Sequence, residues 1–429
     1  MAKKSFPIVE VRLNKIVGGG QALGTLEDGR KVFVWGGLPD EDVRVQINKK
    51  KSSYAEGVVV EVVKASPDRI EPKDLDSYLS TSPWQIMSLE TENRYKAALI
   101  EEAFELHDIV LPGPIVVESD GVEYGYRNKV EFSFWYDTET EKLSLAFFRR
   151  GTHGKISITG TSLATDGINE KGRQVLEVLN ELHVTGREIK TLLIRSAADG
   201  SVSWQLYVKD EDFDADGFMK HFSSDELGGV IFSNPKSPAS VITKRLTEQK
   251  KPLSDTIMNV PFHYATEGFF QINLPVYQKS LEGMREWVTP GVDVVDLYSG
   301  VGSIGLTIGG DNVTLVELNE HAVREMERNV QELGKKATPI LAASENALDY
   351  IVADKTIIVD PPRAGLHEAV VERLLEVKPR RIIYLSCNPV TQARDVARLA
   401  EAYGIKAHQG YNYFPHTPHI EHLVVLDLY

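Results

Sequence analysis

Val292-Asp293-Val294-Val295-Asp296-Leu297-Tyr298-Ser299-Gly300-Val301-Gly302-Ser303-Ile304-Gly305 reads as a strand, a glycine-rich turn and the start of a helix. Gly300, Gly302 and Gly305 fit G-x-G-x-x-G in that context, where absent side chains let backbone approach a ligand closely. Glu317 follows at the tip of the next apolar run. A carboxylate there can accept hydrogen bonds from ribose hydroxyls. Strand, turn, helix and acid together predict a nucleotide-like cofactor, with NAD and S-adenosylmethionine both open at this point.

Working outward, residues 266–429 alternate strand and helix patterns. Apolar runs at 292–297, 313–317, 338–341, 356–360, 381–386 and 423–428 are separated by helical spacing at 320–333, 368–377 and 391–403. Near-continuous apolar strands imply a sheet covered on both faces, hence an α/β, Rossmann-like, doubly wound domain. At the other end, short strands at 8–13, 31–35, 42–47 and 57–63, with turn chemistry at Gly18-Gly19-Gly20 and Glu27-Asp28-Gly29, predict a small OB-type β-barrel. The middle of the chain predicts an α+β domain with a mainly antiparallel sheet, from strands at 129–135, 143–149, 191–196 and 203–208 and a helix near 168–182. The expected division is 1–66, 67–265 and 266–429, with a helix near 90–106 packed on the last of these.

The bulk numbers limit the classes of function. Charged and hydrophobic fractions of 26% and 42% are those of a globular protein. A single cysteine excludes internal disulfides and any Cys-based metal site, and fits a reducing cytosol. Neither a signal peptide nor a membrane span is expected, and no obligate protein partner is evident. The net charge is −14, yet residues 1–66 hold 11 Lys or Arg against 8 Asp or Glu. That local excess, with the Lys49-Lys50-Lys51 run, points the barrel towards a polyanion. Tyr124-Gly125-Tyr126-Arg127-Asn128-Lys129 mixes aromatics with cations, which suits stacking on splayed bases and phosphate contact, or an ordinary turn and strand.

The lone Cys387 lies in Tyr384-Leu385-Ser386-Cys387-Asn388-Pro389, at the tip of a buried strand, where open α/β sheets place their chemistry. A free cysteine elsewhere is most often a small buried hydrophobe. Ile357-Ile358-Val359-Asp360-Pro361-Pro362-Arg363 resembles the fourth motif of methyltransferases that use S-adenosylmethionine. Amino-methylating relatives carry an aromatic after the two prolines. Arg363 stands there instead, which points away from nitrogen as acceptor. The third element is Phe414-Pro415-His416-Thr417-Pro418-His419-Ile420-Glu421. Its His and Glu side chains raise the question of a metal, but no further ligand is close in sequence. Glu421, at a strand start near the functional edge of the sheet, reads as a base.

Ser-Cys-Asn-Pro, Asp-Pro-Pro-Arg and Phe-Pro-His-Thr-x-His-x-Glu, in this order, resemble the RNA uracil-5-methyltransferase family. The likeness covers nearly the whole chain. Residues 7–64 resemble its TRAM domain, and Phe269-Phe270-Gln271-Ile272-Asn273 resembles its Phe-x-Gln-x-Asn motif. The resemblance implies Cys387 as nucleophile and Glu421 as base, with S-adenosylmethionine held by Gln271, Tyr298, Gly300, Gly302, Ser303, Glu317 and Asp360. It implies RNA as partner, ribosomal ahead of transfer RNA because some tRNA-modifying members lack the barrel. One departure stands out. Thr81 and Trp84 occupy the places of a Cys-x-x-Cys pair that holds an iron–sulfur cluster in many members, and Ser162 that of the fourth ligand. None of these supplies a thiolate, so no cluster and no metal are expected. Competing readings are an RNA chaperone that has lost its chemistry, and methylation of another base.

Overall fold

The structure, a computed structural model, describes residues 7–429 apart from His153 and Gln249. Five strands close the N-terminal barrel: β1 (Ile8–Ile16), β2 (Ala22–Thr25), β3 (Lys31–Trp35), β4 (Asp42–Lys50) and β5 (Tyr54–Lys64), in the order β1-β2-β3-β5-β4. Alternation does the work. Val11 and Leu13, Val32 and Val34, and Val43, Val45 and Ile47 point inward and are buried. The chain then makes a short helix α1 (Tyr78–Thr81), a long helix α2 (Leu89–Glu105) and a two-residue strand β6 (Val117–Glu118). Ser88 caps α2 by accepting the Thr91 N–H at 3.2 Å.

A seven-stranded sheet follows, from β7 (Lys129–Asp137), β8 (Lys142–Phe148), β9 (Lys155–Ile158), β10 (Ile189–Ser196), β11 (Val202–Val208), β12 (Leu227–Phe232) and β13 (Lys244–Arg245). Its order is β13-β12-β11-β10-β7-β8-β9, antiparallel except between β11 and β12. Helix α3 (Asp166–Glu181) covers one face through Ile168, Val175 and Leu179, while α4 (Ala215–Met219) precedes β12. A hairpin of β14 (Leu253–Ile257) and β15 (Val260–Tyr264) leads to the last part of the chain.

That part builds the large sheet. Its elements are α5 (Leu274–Arg285), β16 (Val294–Leu297), α6 (Ser303–Ile308), β17 (Val313–Glu317), α7 (Glu320–Leu333), β18 (Ala337–Leu341), β19 (Thr356–Val359), α8 (Glu368–Val377), β20 (Arg381–Ser386), α9 (Pro389–Leu399), β21 (Tyr403–Tyr411) and β22 (Glu421–Leu428). The order β18-β17-β16-β19-β20-β22-β21-β6 is parallel through β20; β22 then runs antiparallel to β20 and β21. Both faces are covered. Ile358, Ile383 and Val425 pack with α5, α6 and α7, whereas Ile357, Val359, Ile382 and Tyr384 pack with α2, α8 and α9. The fold is therefore a Rossmann-like α/β domain preceded by a closed barrel and an α+β region.

Two elements early in the chain thus belong to this late sheet. Helix α2 lies on one face and β6 pairs with β21. The same core continues through Trp84, Ile86 and Met87 into the barrel. Trp84 is buried and donates its indole N–H to Gly20 O at 2.9 Å. Ser162 lies nearby in a polar knot: Asp74 accepts from its N–H and hydroxyl, and from the Gln85 amide. Among the described residues no helix is long and apolar enough to cross a membrane.

Candidate active site

Strand β16 ends where Tyr298 takes φ +63°, Gly300 +58° and Gly302 +84°, a left-handed run that turns the chain into α6. The glycines have separate tasks. A side chain on Gly300 would meet open space, so this is the position that leaves room for a ligand. One on Gly305 would stand 2.4 Å from Leu315 Cδ2, so this glycine serves helix–strand packing rather than ligand approach. Gly302 shapes the turn and does not line the cavity. Asp296 Oδ2 accepts the Gly305 N–H at 2.8 Å and ties α6 to its strand. Full burial pushes that carboxyl up to about 8.

A cavity of about 1360 Å³ opens at the C-terminal edge of the sheet. Gln271, Tyr298, Ser303 and Glu317 line it on the glycine-turn side; Asp360, Cys387 and Glu421 line it on the other. The structure thus gathers eight of the nine expected residues, Gly300 included. Ser303 Oγ lies 2.7 Å from the Tyr277 hydroxyl, which fixes it to α5. Glu317 accepts the Gly300 N–H at 2.9 Å and the Asn319 N–H at 2.7 Å. Each of its oxygens keeps a lone pair for a ligand hydroxyl.

Cys387 stands between β20 and α9. Asn388 caps α9 on the Val390 N–H at 3.2 Å, and Pro389 begins the helix. The Asn388 amide and the Thr391 hydroxyl both donate to Arg363 O, at 2.9 and 3.1 Å. The Asp-Pro-Pro-Arg turn is therefore stitched to the cysteine turn, an arrangement no local pattern in the sequence reveals. Burial first, and then the carboxylates of Glu421 and Asp360, push the Cys387 thiol up to about 12; Arg363 acts the other way. Burial raises Asp360 to about 7. Burial and Asp360 hold Glu421 well above the usual carboxyl range, against Arg363 and Lys96. Three proton-holding groups thus face one cavity, a pattern typical of catalytic sites.

Of the two readings open for residues 124–129, a stacking surface or an ordinary turn and strand, the first does not hold. Tyr126 and its neighbours do not form a stacking surface. The Tyr126 hydroxyl donates to Pro415 O at 3.0 Å, Asn128 donates to Gln271 O at 3.0 Å, and Lys129 donates to Glu267 O and Gly268 O. The motif is a seam that holds both ligand-facing loops, and of its cations only Arg127 lines the cavity. The cavity also takes in Arg363, His419 and an exposed Phe269, none assigned a cofactor or catalytic role from sequence. Phe269 is the first residue of the Phe-x-Gln-x-Asn stretch, which is the signal that could have found it. Among the described residues no group of three or more His, Cys, Asp or Glu side chains is placed to hold a metal ion.

The family model of the tRNA (uracil-5-)-methyltransferases matches residues 345–428, the stretch that carries Asp360, Cys387 and Glu421. Over that stretch the chain is similar to the tRNA (uracil-5-)-methyltransferase family. It is 28% identical over 450 residues to an uncharacterized RNA methyltransferase of Fusobacterium nucleatum, covering 97% of this chain and 95% of the relative. A similar protein of Thermotoga maritima, described in the same words, is 29% identical over 448 residues, covering 97% and 98%. Among solved structures, the tRNA (uracil-54, C5)-methyltransferase of Pyrococcus abyssi, in complex with S-adenosyl-L-homocysteine, has the same fold. Its TM-score is 0.78 at 22% identity, over 97% of this chain and 100% of that one.

The residues present fit S-adenosylmethionine, the methyl donor that the resemblance implies. Ser299 Oγ is buried without a partner, Gly300 leaves open room, and Glu317 keeps free lone pairs. Asp360 and Glu421, both raised by burial, are sites that a positive charge would relieve.

Proposed function

We propose that this chain methylates C5 of a uridine in RNA, with Cys387 as nucleophile and Glu421 as base. The supporting observation is that the chain's one thiol and the carboxyls of Asp360 and Glu421 line the same cavity as the glycine turn. The same reading divides the chain at 1–66, 67–265 and 266–429, the first two parts gripping RNA and the last carrying the chemistry.

Gln271, Tyr298, Gly300, Ser303, Glu317 and Asp360 would hold S-adenosylmethionine, with Gly302 shaping the turn. Bound there, it supplies an electrophilic methyl group and a positive charge. Uracil C5 is a weak nucleophile until C6 is saturated. Cys387 gives up its proton, for which Asp360 is the neighbouring acceptor, and the sulfur bonds C6. The C5–C6 π pair moves onto C5 and O4, and C5 takes the methyl group. Glu421 then takes the C5 proton; the C5–C6 double bond re-forms and the S–C6 bond breaks, restoring the free thiol once the proton on Asp360 returns. A buried carboxylate with raised proton affinity suits that last transfer. The target base has to leave its stack to reach the cavity.

Ribosomal RNA is the substrate the barrel favours, by the resemblance. The alignment with the Pyrococcus abyssi tRNA enzyme over 97% of this chain favours transfer RNA as the second reading. One experiment tests both. Unmodified ribosomal and transfer RNA are each incubated with enzyme and methyl-labelled S-adenosylmethionine, digested to nucleosides, and the labelled nucleoside is identified by mass spectrometry. 5-Methyluridine that disappears with Cys387→Ala is the expected result. Label in cytidine or in an exocyclic amine would reject the proposal.

A further inference from the structure

The loop that carries Glu421 into the cavity is held by four donors from four separate stretches of the chain on four consecutive carbonyls. Asn273 donates to Tyr413 O at 3.1 Å, Lys96 to Phe414 O at 3.2 Å, Tyr126 to Pro415 O at 3.0 Å and the Trp84 N–H to His416 O at 3.1 Å. Within the loop His416 takes φ +63°, a strained conformation for a residue with a side chain. Such strain persists only where surroundings over-determine it.

Lys96 is the one charged donor of the four, and it does not act alone. On α2 it pairs with Glu92, one turn earlier, at 2.7 Å, and both side chains are fully buried. The side-chain hydrogen bonds that the pair makes outside itself run to the same loop, and the Lys96 ammonium also lies 6.0 Å from the centre of the Trp84 ring. Lys96 also donates to Asn412 Oδ1 at 2.6 Å; Glu92 accepts from Asn412 Nδ2 at 2.9 Å and from the His416 N–H at 2.7 Å. Burying two charges costs several kcal/mol per ion, roughly, and an apolar pair of equal size is often no less stable. Stability alone is a poor reason for an ion pair here. Helix α2 also packs against α9, the helix that begins two residues after Cys387, so it touches the mounts of both proposed catalytic groups.

We propose that the Glu92–Lys96 pair is a positioning device for Glu421, fixing its loop for removal of the C5 proton. This deepens the proposed function and rests on it. Lys96 is the group of the pair that acts on the Glu421 charge. The other groups facing Glu421 are Asp360, Arg363, Cys387, Tyr277 and Tyr413. Without Lys96 only Arg363 opposes Asp360, so Glu421 holds its own proton more tightly and is a poorer base at neutral pH. Proton removal should slow, while thiol addition and methyl transfer continue.

The test compares Lys96→Met, the double variant Glu92→Gln/Lys96→Met, and Glu421→Gln as reference. Each is given RNA and S-adenosylmethionine and followed on denaturing gels for a protein–RNA adduct. The Lys96 variants should accumulate adduct as the reference does, with product release slowed roughly tenfold or more. The KM for S-adenosylmethionine should change less than about twofold, and release should recover as pH rises. A folded Lys96 variant that turns over normally, or that slows without adduct while the reference traps it, would overturn the positioning role alone. Failure of both Lys96 variants to fold would overturn it as well, making the pair a folding element. Absence of adduct in Glu421→Gln itself would instead reject the assignment of Glu421 as base, and the positioning role with it.

Discussion

Cys387 should be an unreactive thiol in the free protein. Its thiol is pushed from the ordinary 9.0 up to about 12 by burial, Glu421 and Asp360. Cys387 is partly exposed and solvent screens the two carboxylates, so the thiolate at pH 7.5 should be depleted about a hundredfold. The thiolate is the nucleophile, so alkylation should fall in proportion. Because Cys387 is the chain's one cysteine, intact-mass measurement after iodoacetamide treatment reads this site alone. The pH dependence separates charge from access: simple occlusion lowers the rate but leaves the midpoint of its rise near pH 9, whereas a raised thiol moves that midpoint beyond pH 10. Asp360→Asn, which removes one of the charges, should bring the rise to lower pH. A rate at pH 7.5 equal to that of a free thiol, or a midpoint near pH 9, would refute the electrostatic argument.

Further outcomes follow from other parts of the molecule. A methyl group at Gly20 would stand 2.1 Å from Pro418 Cβ with φ at +90°, so Gly20→Ala should cost about 2 kcal/mol and slow methylation, seen by thermal melting and turnover. Asp296, raised to about 8 in the fold, binds its proton more tightly folded than unfolded, so the stability it lends is lost as pH rises from 3.8 towards 8. Asp296→Asn keeps an acceptor for the Gly305 N–H, and its melting temperature relative to the parent should rise between pH 5 and pH 8; a constant difference would contradict this. On the barrel, Lys49 is engaged by Glu56 at 2.6 Å whereas Lys50 and Lys51 are exposed. Lys50→Gln/Lys51→Gln should weaken RNA binding and reduce the slope of log K against log salt by about 1.4, measured by filter binding.

The parts of the fold legible in the sequence were those whose physics is local. The turn at Gly300–Gly302 needs left-handed backbone, and glycine announces it. The barrel strands alternate, and the strands of the large sheet are continuously apolar. What stayed hidden was non-local or locally misleading. The β14–β15 hairpin turns at Met258-Asn259, both with positive φ, without the glycine that usually marks such a turn. Buried Asp255 further breaks the apolar alternation of β14. Strand β21 has no strand signal in the sequence: the helical spacing of 391–403 ends on its first residue, Tyr403, and Lys406, His408 and Gln409 leave no apolar run behind it. Glu92 and Lys96 have the i, i+4 spacing of an ordinary surface pair; only their contacts with Asn412 and His416, more than 300 residues on, make them part of the site.

The central claim is that Cys387 and Glu421 work in sequence on one uracil. Its most direct measurement is mass spectrometry of Glu421→Gln after incubation with RNA and S-adenosylmethionine, followed by protease and nuclease digestion. The account predicts a peptide containing Cys387 that carries a methylated uridine on its sulfur, absent from Cys387→Ala. A methylated RNA product with no nucleotide ever found on Cys387, or a nucleotide bound at any other residue, would contradict it.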